Sequence, residues 1–349
     1  MVNHKLVMKR AGTAAIAVVV AAGLASCSKS STAASPKKTV AANQKVSIAF
    51  LPLVQANPYI QATFKGIQEV AQKENASVTQ FDGGLDGTKQ QQQCTDAVAS
   101  GKYQVIITVP VNPTNLVACA KAATNKGISF VNTDFPLGPD PSADKPQVTG
   151  QTASVLDPAT TRGDWIFTLI DGACTGEPNC QVVLVNGVLA DPYGQAVTKV
   201  VQAKAKASSN IKIVAVREGL YLPGPTLNVV SDLLQANPNI KVIATNSDPM
   251  TVGAEQAVKK AGKTGKIKLI GGGYSSEAPE AIKSGRWYGT FLSLPEDEGR
   301  LGADYGIKAA RGESVSVGIS ASVKSGYPVV ITKENIDKLA GLTPQWQGL

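Results

Sequence analysis

From Val46 onward, short runs rich in Val, Ile, Phe and Thr alternate with longer stretches in which apolar residues recur every three or four positions. VSIAFL, SVTQFD, QVIITV and ISFVNT are of the first kind and predict strands. PYIQATFKGIQEVAQK, GTKQQQQCTDAVAS and NLVACAKAATNKG are of the second and predict helices. In the first helix Ile60, Phe64, Ile67 and Ala71 share a face, Asn57 is placed to cap it and Pro58 suits its first position. Gly101 and Gly127 stand where the chain leaves the second and third helices, as left-handed capping glycines do. The pattern restarts after about residue 150, with strands QVVLVNG, IKIVAVREG, KVIATNSD, KLIGGGY and YGTFLSL. The helices between them are GQAVTKVVQAKAKA, TLNVVSDLLQAN and MTVGAEQAVKKAG. Continuous apolar strands separated by helices predict parallel sheets covered on both faces. VIITVPVNPTNLVACAKAATNKGISFVNTDF and VIATNSDPMTVGAEQAVKKAGKTGKIKLIGGGY repeat one order: strand, Pro-containing polar loop, helix, basic turn, strand. The chain has 349 residues, more than one growing core usually serves, so two α/β lobes are expected.

The first residues follow a different pattern. Lys5, Lys9 and Arg10 precede the apolar run AGTAAIAVVVAAG, and Leu24-Ala25-Ser26-Cys27 follows it. A basic segment, a short apolar segment and small residues before a cut site predict an export signal over 1–26. Leu-Ala-Ser-Cys resembles the lipobox of bacterial lipoproteins, which implies that Cys27 carries a lipid anchor on the outer face of the cell membrane. Residues 27–44 are rich in Ser, Ala, Thr and Lys, too polar to order themselves, and predict a flexible tether.

Composition narrows the chemistry. The net charge of +8 falls to +5 once Lys5, Lys9 and Arg10 are set aside, and basic residues do not cluster with aromatics, which argues against nucleic acid. The one histidine is His4, inside the export signal, so histidine-based catalysis and most zinc sites are excluded. No G-x-S-x-G elbow is present, GGG at 271–273 lacks the dinucleotide spacing, and DGGLDG (82–87) lacks the ligands of a calcium loop. PEDEG (295–299) reads as a solvated hinge or helix start rather than a metal site. The chain is therefore expected to be a binding protein and not an enzyme, with no cofactor and no metal. Four cysteines remain beyond Cys27, and outside the cytoplasm they predict two disulfides with three possible pairings. Cys174 and Cys180 flank a turn, which favours a local bridge and leaves Cys94 with Cys119.

In such folds ligands bind outside the carboxyl ends of the strands. QANPY (55–59), VPVNP (109–113), NTDF (132–135), GLADPYG (187–194), GLYLPG (219–224), TNSDPM (245–250) and GGGYSS (271–276) all occupy strand ends. Their carboxylates, amides and aromatic rings suit a polyhydroxylated solute. Asp134 stands out, because a turn alone has no need of a carboxylate after ISFVNT.

From about Val46 onward the chain resembles the ribose-type periplasmic sugar-binding proteins of ABC importers, here in a lipoprotein form. The resemblance rests on Asn57-Pro58-Tyr59, the strand ending in Asp134, the D-x-M-x-x-G-A stretch Asp248 to Ala254, and Ser293-Leu294-Pro295. It implies two doubly wound parallel-sheet lobes joined by a three-stranded hinge with crossings near residues 150, 293 and 318. The N-terminal lobe is then 45–150 with 294–318, and the C-terminal lobe 151–293 with 319–349. Carried over, the ligand-binding residues are Asn57, Tyr59, Asp134, Phe135, Tyr193, Tyr221, Asn246, Ser247, Tyr274 and Ser293. Phe135 replaces the Arg that commonly follows the Asp, Gly273 stands where a second Asp is usual, and a second Arg near Asp191–Tyr193 is missing. One carboxylate among aromatics implies a pentose other than ribose, a smaller sugar or a sugar alcohol; a cationic ligand paired with Asp134 is the non-sugar alternative. The implied partner is a membrane permease, or alternatively a membrane sensor, with the receptor acting as a monomer. The same fold serves the effector domains of lac-repressor-like regulators. The export signal and the missing helix-turn-helix headpiece set that reading aside.

Overall fold

Residues 39–348 are described by a computed structural model; the expected export signal, Cys27 and most of the expected tether lie outside the described residues. The chain begins with β1 (Val46–Leu51), α1 (Pro58–Lys73), β2 (Ala76–Gln80), α2 (Gly87–Ser100), β3 (Val105–Thr108), α3 (Val117–Asn125), β4 (Ser129–Asp134) and β5 (Ala153–Leu156). It continues through α4 (Ala159–Ala173), β6 (Cys180–Asn186), α5 (Pro192–Ala207), β7 (Ile211–Glu218), α6 (Pro223–Ala236), β8 (Ile240–Thr245) and α7 (Asp248–Lys260). β9 (Lys268–Gly273), α8 (Ala278–Lys283), β10 (Gly289–Leu292), α9 (Pro295–Ala310), β11 (Gly318–Ile319), α10 (Ala321–Lys324) and β12 (Val330–Thr332) complete it. Two six-stranded sheets result, ordered β11-β5-β4-β3-β1-β2 and β12-β10-β9-β8-β6-β7. The β10–β12 pair is antiparallel and the other pairs are parallel. This is the two-lobed α/β architecture that the alternating pattern predicts.

Local chemistry sets several of these boundaries. The Asn57 side chain accepts hydrogen bonds from the Tyr59 and Ile60 amides at 2.9 and 3.3 Å, and Pro58 opens α1. Gly101 and Gly127 leave their helices at φ +65° and +77°. The central strands β1, β3 and β4 are buried almost throughout, as strands covered on both faces must be.

One expected boundary moves. Ala153–Leu156 pairs in parallel with β4, and Ile319 pairs with Val155, so both belong to the first sheet. The first crossing thus falls after Leu156 rather than near 150, while the third, after Ile319, lies near 318 as expected. The sequence pattern missed β5 because the connection from β4 to it, residues 135–152, contains no helix to announce a new strand.

Cys94–Cys119 joins α2 to α3 within the first lobe's core, and Cys174–Cys180 closes the turn between α4 and β6. Both bridges match the expected pairing. No helix among the described residues is long and apolar enough to cross a membrane.

Candidate functional site

Strand ends from both sheets meet around a chamber of about 90 Å³. Asn57 and Tyr59 follow β1, Asp134 ends β4 and Phe135 follows it. Tyr193 and Tyr221 follow β6 and β7, Asn246 and Ser247 follow β8, and Ser293 follows β10; all nine line the chamber. The structure thus brings together every candidate but Tyr274. That residue, at φ +55°, packs into the second lobe's core, in the same cluster as Leu292 and Leu294. Among the lining residues that were not anticipated are Arg162, Phe291 and Trp346. A wider space of about 340 Å³ lies beyond Phe135 and Tyr221, edged by Leu85, Asn112, Asn115 and Asp191.

The backbone is bent where the chemistry collects. Asp134, Leu220 and Tyr221 adopt φ of +60°, +56° and +57° at strand ends facing the cleft. L-residues rarely occupy this region, and strain of this kind gathers at functional sites. The turn at Asp134 follows directly from β4, so a buried strand delivers a carboxylate to the chamber wall.

Arg162 changes the electrostatics expected from sequence. It lies one turn into α4, where α4 leaves the first crossing, and is 8% exposed. Its Nη2 is 3.0 Å from Asp157 Oδ2 and 4.0 Å from Asp134 Oδ1, and its guanidinium lies 4.8 Å over the Phe291 ring. A cation is therefore present after all, supplied by the helix after the first crossing instead of the positions next to Asp134 or Tyr193. Burial would lower the Arg162 guanidinium, but Tyr193, Asp157 and Asp134 hold it above its ordinary value. Asp157 also accepts hydrogen bonds from Ser320 and Ser322, so it ties the first crossing to the third. The Tyr193 hydroxyl donates to the Asp157 carbonyl at 2.7 Å.

Burial pushes the Asp134 carboxyl up to about 6; Arg162 opposes this, while Asp157 and Asp191 add to it. Asp134 accepts no hydrogen bond from the described residues. Arg162 Nε, Asn246 Oδ1 and Ser293 Oγ are buried and likewise lack partners there. Four groups lining one chamber, two of them charged, are thus free to bond a solute.

PEDEG (295–299) does open a helix, but it is not solvated. Glu298 is 1% exposed and accepts a hydrogen bond from the Tyr59 hydroxyl at 2.9 Å. Burial, then Asp134 and Asp157, raise its pKa well above the ordinary carboxyl value. Asp248 proves structural: it accepts from the Gly272 and Ser275 amides at 2.7 and 2.6 Å and from Thr290 Oγ1 at 3.0 Å, which holds the ends of β9 and β10.

Residues 48–314 match the family described as periplasmic binding protein domain. The D-allose-binding periplasmic protein of Escherichia coli is 30% identical over 263 residues, covering 74% of this chain and 83% of that protein. The ribose import binding protein of Salmonella typhimurium is 25% identical over 82% of this chain and 93% of its own length. Among solved structures, an ABC transporter solute binding protein from Mycobacterium smegmatis with bound glycerol superimposes with a TM-score of 0.74 at 25% identity. That match covers 86% of this chain and 99% of the other.

Proposed function

The chain belongs to the periplasmic binding protein family, and from that premise we propose that it captures a sugar or sugar alcohol between its lobes and delivers it to an ABC importer. It is a solute receptor and carries out no covalent chemistry. The observation that carries the ligand class is the set of polar atoms with bonding capacity left at the chamber: the Asp134 carboxylate, which stands 4.0 Å from Arg162 Nη2, with Arg162 Nε, Asn246 Oδ1 and Ser293 Oγ, which have no partner among the described residues. A carboxylate beside a guanidinium takes vicinal hydroxyls, which donate to the carboxylate and accept from the guanidinium. Tyr59, Phe135, Tyr193, Tyr221, Phe291 and Trp346 supply faces for the C–H surface of such a solute. A cationic ligand fits less well, because Arg162 stands 4.0 Å from the carboxylate that would receive it. The lobes close on the solute by a hinge, and the permease recognises the closed form. The reading includes export, lipidation of Cys27 and anchoring to the outer face of the membrane. The polar stretch after Cys27 then keeps a monomeric receptor close to its permease.

The test is a thermal-shift screen of the protein from residue 39 onward against D-allose, D-ribose, xylitol, glycerol and myo-inositol. A true ligand at a hundred times its Kd adds about 2.7 kcal/mol of apparent stability. No shift with any of the five, beside a shift with a solute lacking vicinal hydroxyls, overturns the ligand class.

Acidity supplies a second check. With the Asp134 carboxyl at about 6, the carboxylate that accepts hydroxyls is lost as pH falls below that value. Titrations at pH 7 and pH 5 should show affinity about tenfold weaker at the lower pH. Ligand-free stability should move the other way. A carboxyl with a higher pKa folded than unfolded binds its proton more tightly when folded, so its contribution is full below about pH 4 and is lost as pH rises through about 6. Asp248, pushed to about 6 by burial against its hydrogen bonds, acts in the same sense. Equal affinity at the two pH values would mean that Asp134 is not the acceptor.

A further inference from the structure

The segment 343–348 runs from the second lobe to the chamber and touches both lobes there. On the second lobe, the Trp346 indole Nε1 donates to the Gly273 carbonyl at 2.9 Å, and the Trp346 carbonyl accepts from the Ser276 amide at 3.0 Å. On the first lobe, Gln345 exchanges two hydrogen bonds with Asp297 in the first turn of α9. Its Nε2 donates to Oδ2 at 2.8 Å, and its Oε1 accepts from the Asp297 amide at 3.2 Å. The Trp346 ring meets the Tyr59 ring edge-on, with centroids 5.4 Å apart, and Tyr59 belongs to the first lobe. Trp346 is 7% exposed, yet it lines the chamber.

We propose that this segment is part of the binding site, with Trp346 as a specificity-determining wall and Gln345–Asp297 as the strap that seats it across the two lobes. The inference rests on the sugar-receptor reading of the chamber. Gly273 shows how the wall is accommodated. Its φ is +114°, and a Cβ placed there would overlap the Trp346 indole, so the ring stands in the space that a side chain at the end of β9 would need. The indole nitrogen is already bonded to Gly273, which leaves the apolar ring and not a polar atom for the solute. A solute at this wall presents C–H groups to Trp346 and hydroxyls to Asp134 and Arg162. The chamber therefore favours solutes with one apolar face, and disfavours those hydroxylated all round.

Two measurements test this with xylitol, glycerol, D-ribose and D-allose as probes. Calorimetry compares the wild-type chain with Trp346→Ala, Trp346→Phe and Asp134→Ala. The chain has three tryptophans, and the other two, Trp165 and Trp287, belong to the second lobe's cores. In a Trp165→Phe/Trp287→Phe variant, emission reports Trp346 alone. The expected result is at least about a tenfold loss of affinity in Trp346→Ala, as for a buried aromatic anchor, and a smaller loss in Trp346→Phe. Emission of the sole tryptophan should change on saturation. Should either substitution disrupt folding, the emission titration still decides. Binding abolished by Asp134→Ala, but unchanged in Trp346→Ala and silent in Trp346 emission, overturns the role of this segment and leaves the receptor reading standing. Absence of wild-type binding to all four probes overturns both.

Discussion

Arg162→Leu should cost the ligand-free protein about 3–5 kcal/mol of stability, the range for removing one partner of a buried charge network. The arginine is the one cation within 4 Å of Asp157 and Asp134 among the described residues. Both carboxylates are buried, at 1% and 8% exposure. Leucine fills the volume over the Phe291 ring but leaves two carboxylates in low dielectric without a counter-charge. Ser320 and Ser322 still donate to Asp157, so the hinge keeps part of its bonding, whereas Asp134 keeps none. Total stabilities of such chains are about 5–15 kcal/mol, so the loss is a large share and is readable by urea denaturation. Arg162→Lys should fall between, since an ammonium restores charge but not the planar fork. The deficit should be smaller at pH 5 than at pH 8, because the Asp134 carboxyl, raised to about 6 by burial, tolerates burial without a cation once protonated. A leucine variant as stable as wild type at pH 8 would show that the crossing is held by the serines alone, with no need of the guanidinium.

The part of this site that sequence reveals is the part fixed by topology. Parallel strands deliver their carboxyl ends to one edge, so Asn57, Asp134, Tyr193, Tyr221 and Asn246 could be placed from strand order, while Ser293 was implied by the family resemblance. What escaped depends on paths that no periodicity encodes. Arg162 sits in α4, which is not among the predicted helices; the one hint in the sequence is Asp157 five residues earlier, a carboxylate in want of a cation. Glu298 looked solvated because three acidic residues stand together, yet α9 carries it beneath Tyr59. Trp346 lies beyond the last strand and reaches the chamber through hydrogen bonds to Gly273 and Ser276. Tyr274 was misplaced for a related reason: two left-handed residues in succession, Gly273 and Tyr274, carry its ring into the core while Trp346 occupies the chamber side.

Asp134→Ala should lower affinity for a hydroxylated solute by at least about a hundredfold. The carboxylate accepts no hydrogen bond from the described residues and stands 4.0 Å from Arg162, so solute hydroxyls would be its bonding partners. Two charge-assisted bonds at about 1.5–3 kcal/mol each amount to roughly 3–6 kcal/mol, and every 1.4 kcal/mol is tenfold. Alanine also adopts φ +60° less readily than aspartate, so some of its effect could come through the backbone. Asn at this position separates the two contributions. Asparagine tolerates the left-handed turn, retains an acceptor oxygen and loses the charge. Asp134→Asn should therefore keep the fold, bind more weakly than wild type and more tightly than the alanine variant. It should also abolish the fall in affinity between pH 7 and pH 5, since the group titrating at about 6 is gone. If affinity in Asp134→Asn still falls with acid, the titrating group lies elsewhere at the chamber, with Glu298 the next carboxyl to test. If the alanine variant binds as wild type does, the solute bonds elsewhere and the bent end of β4 serves the fold alone.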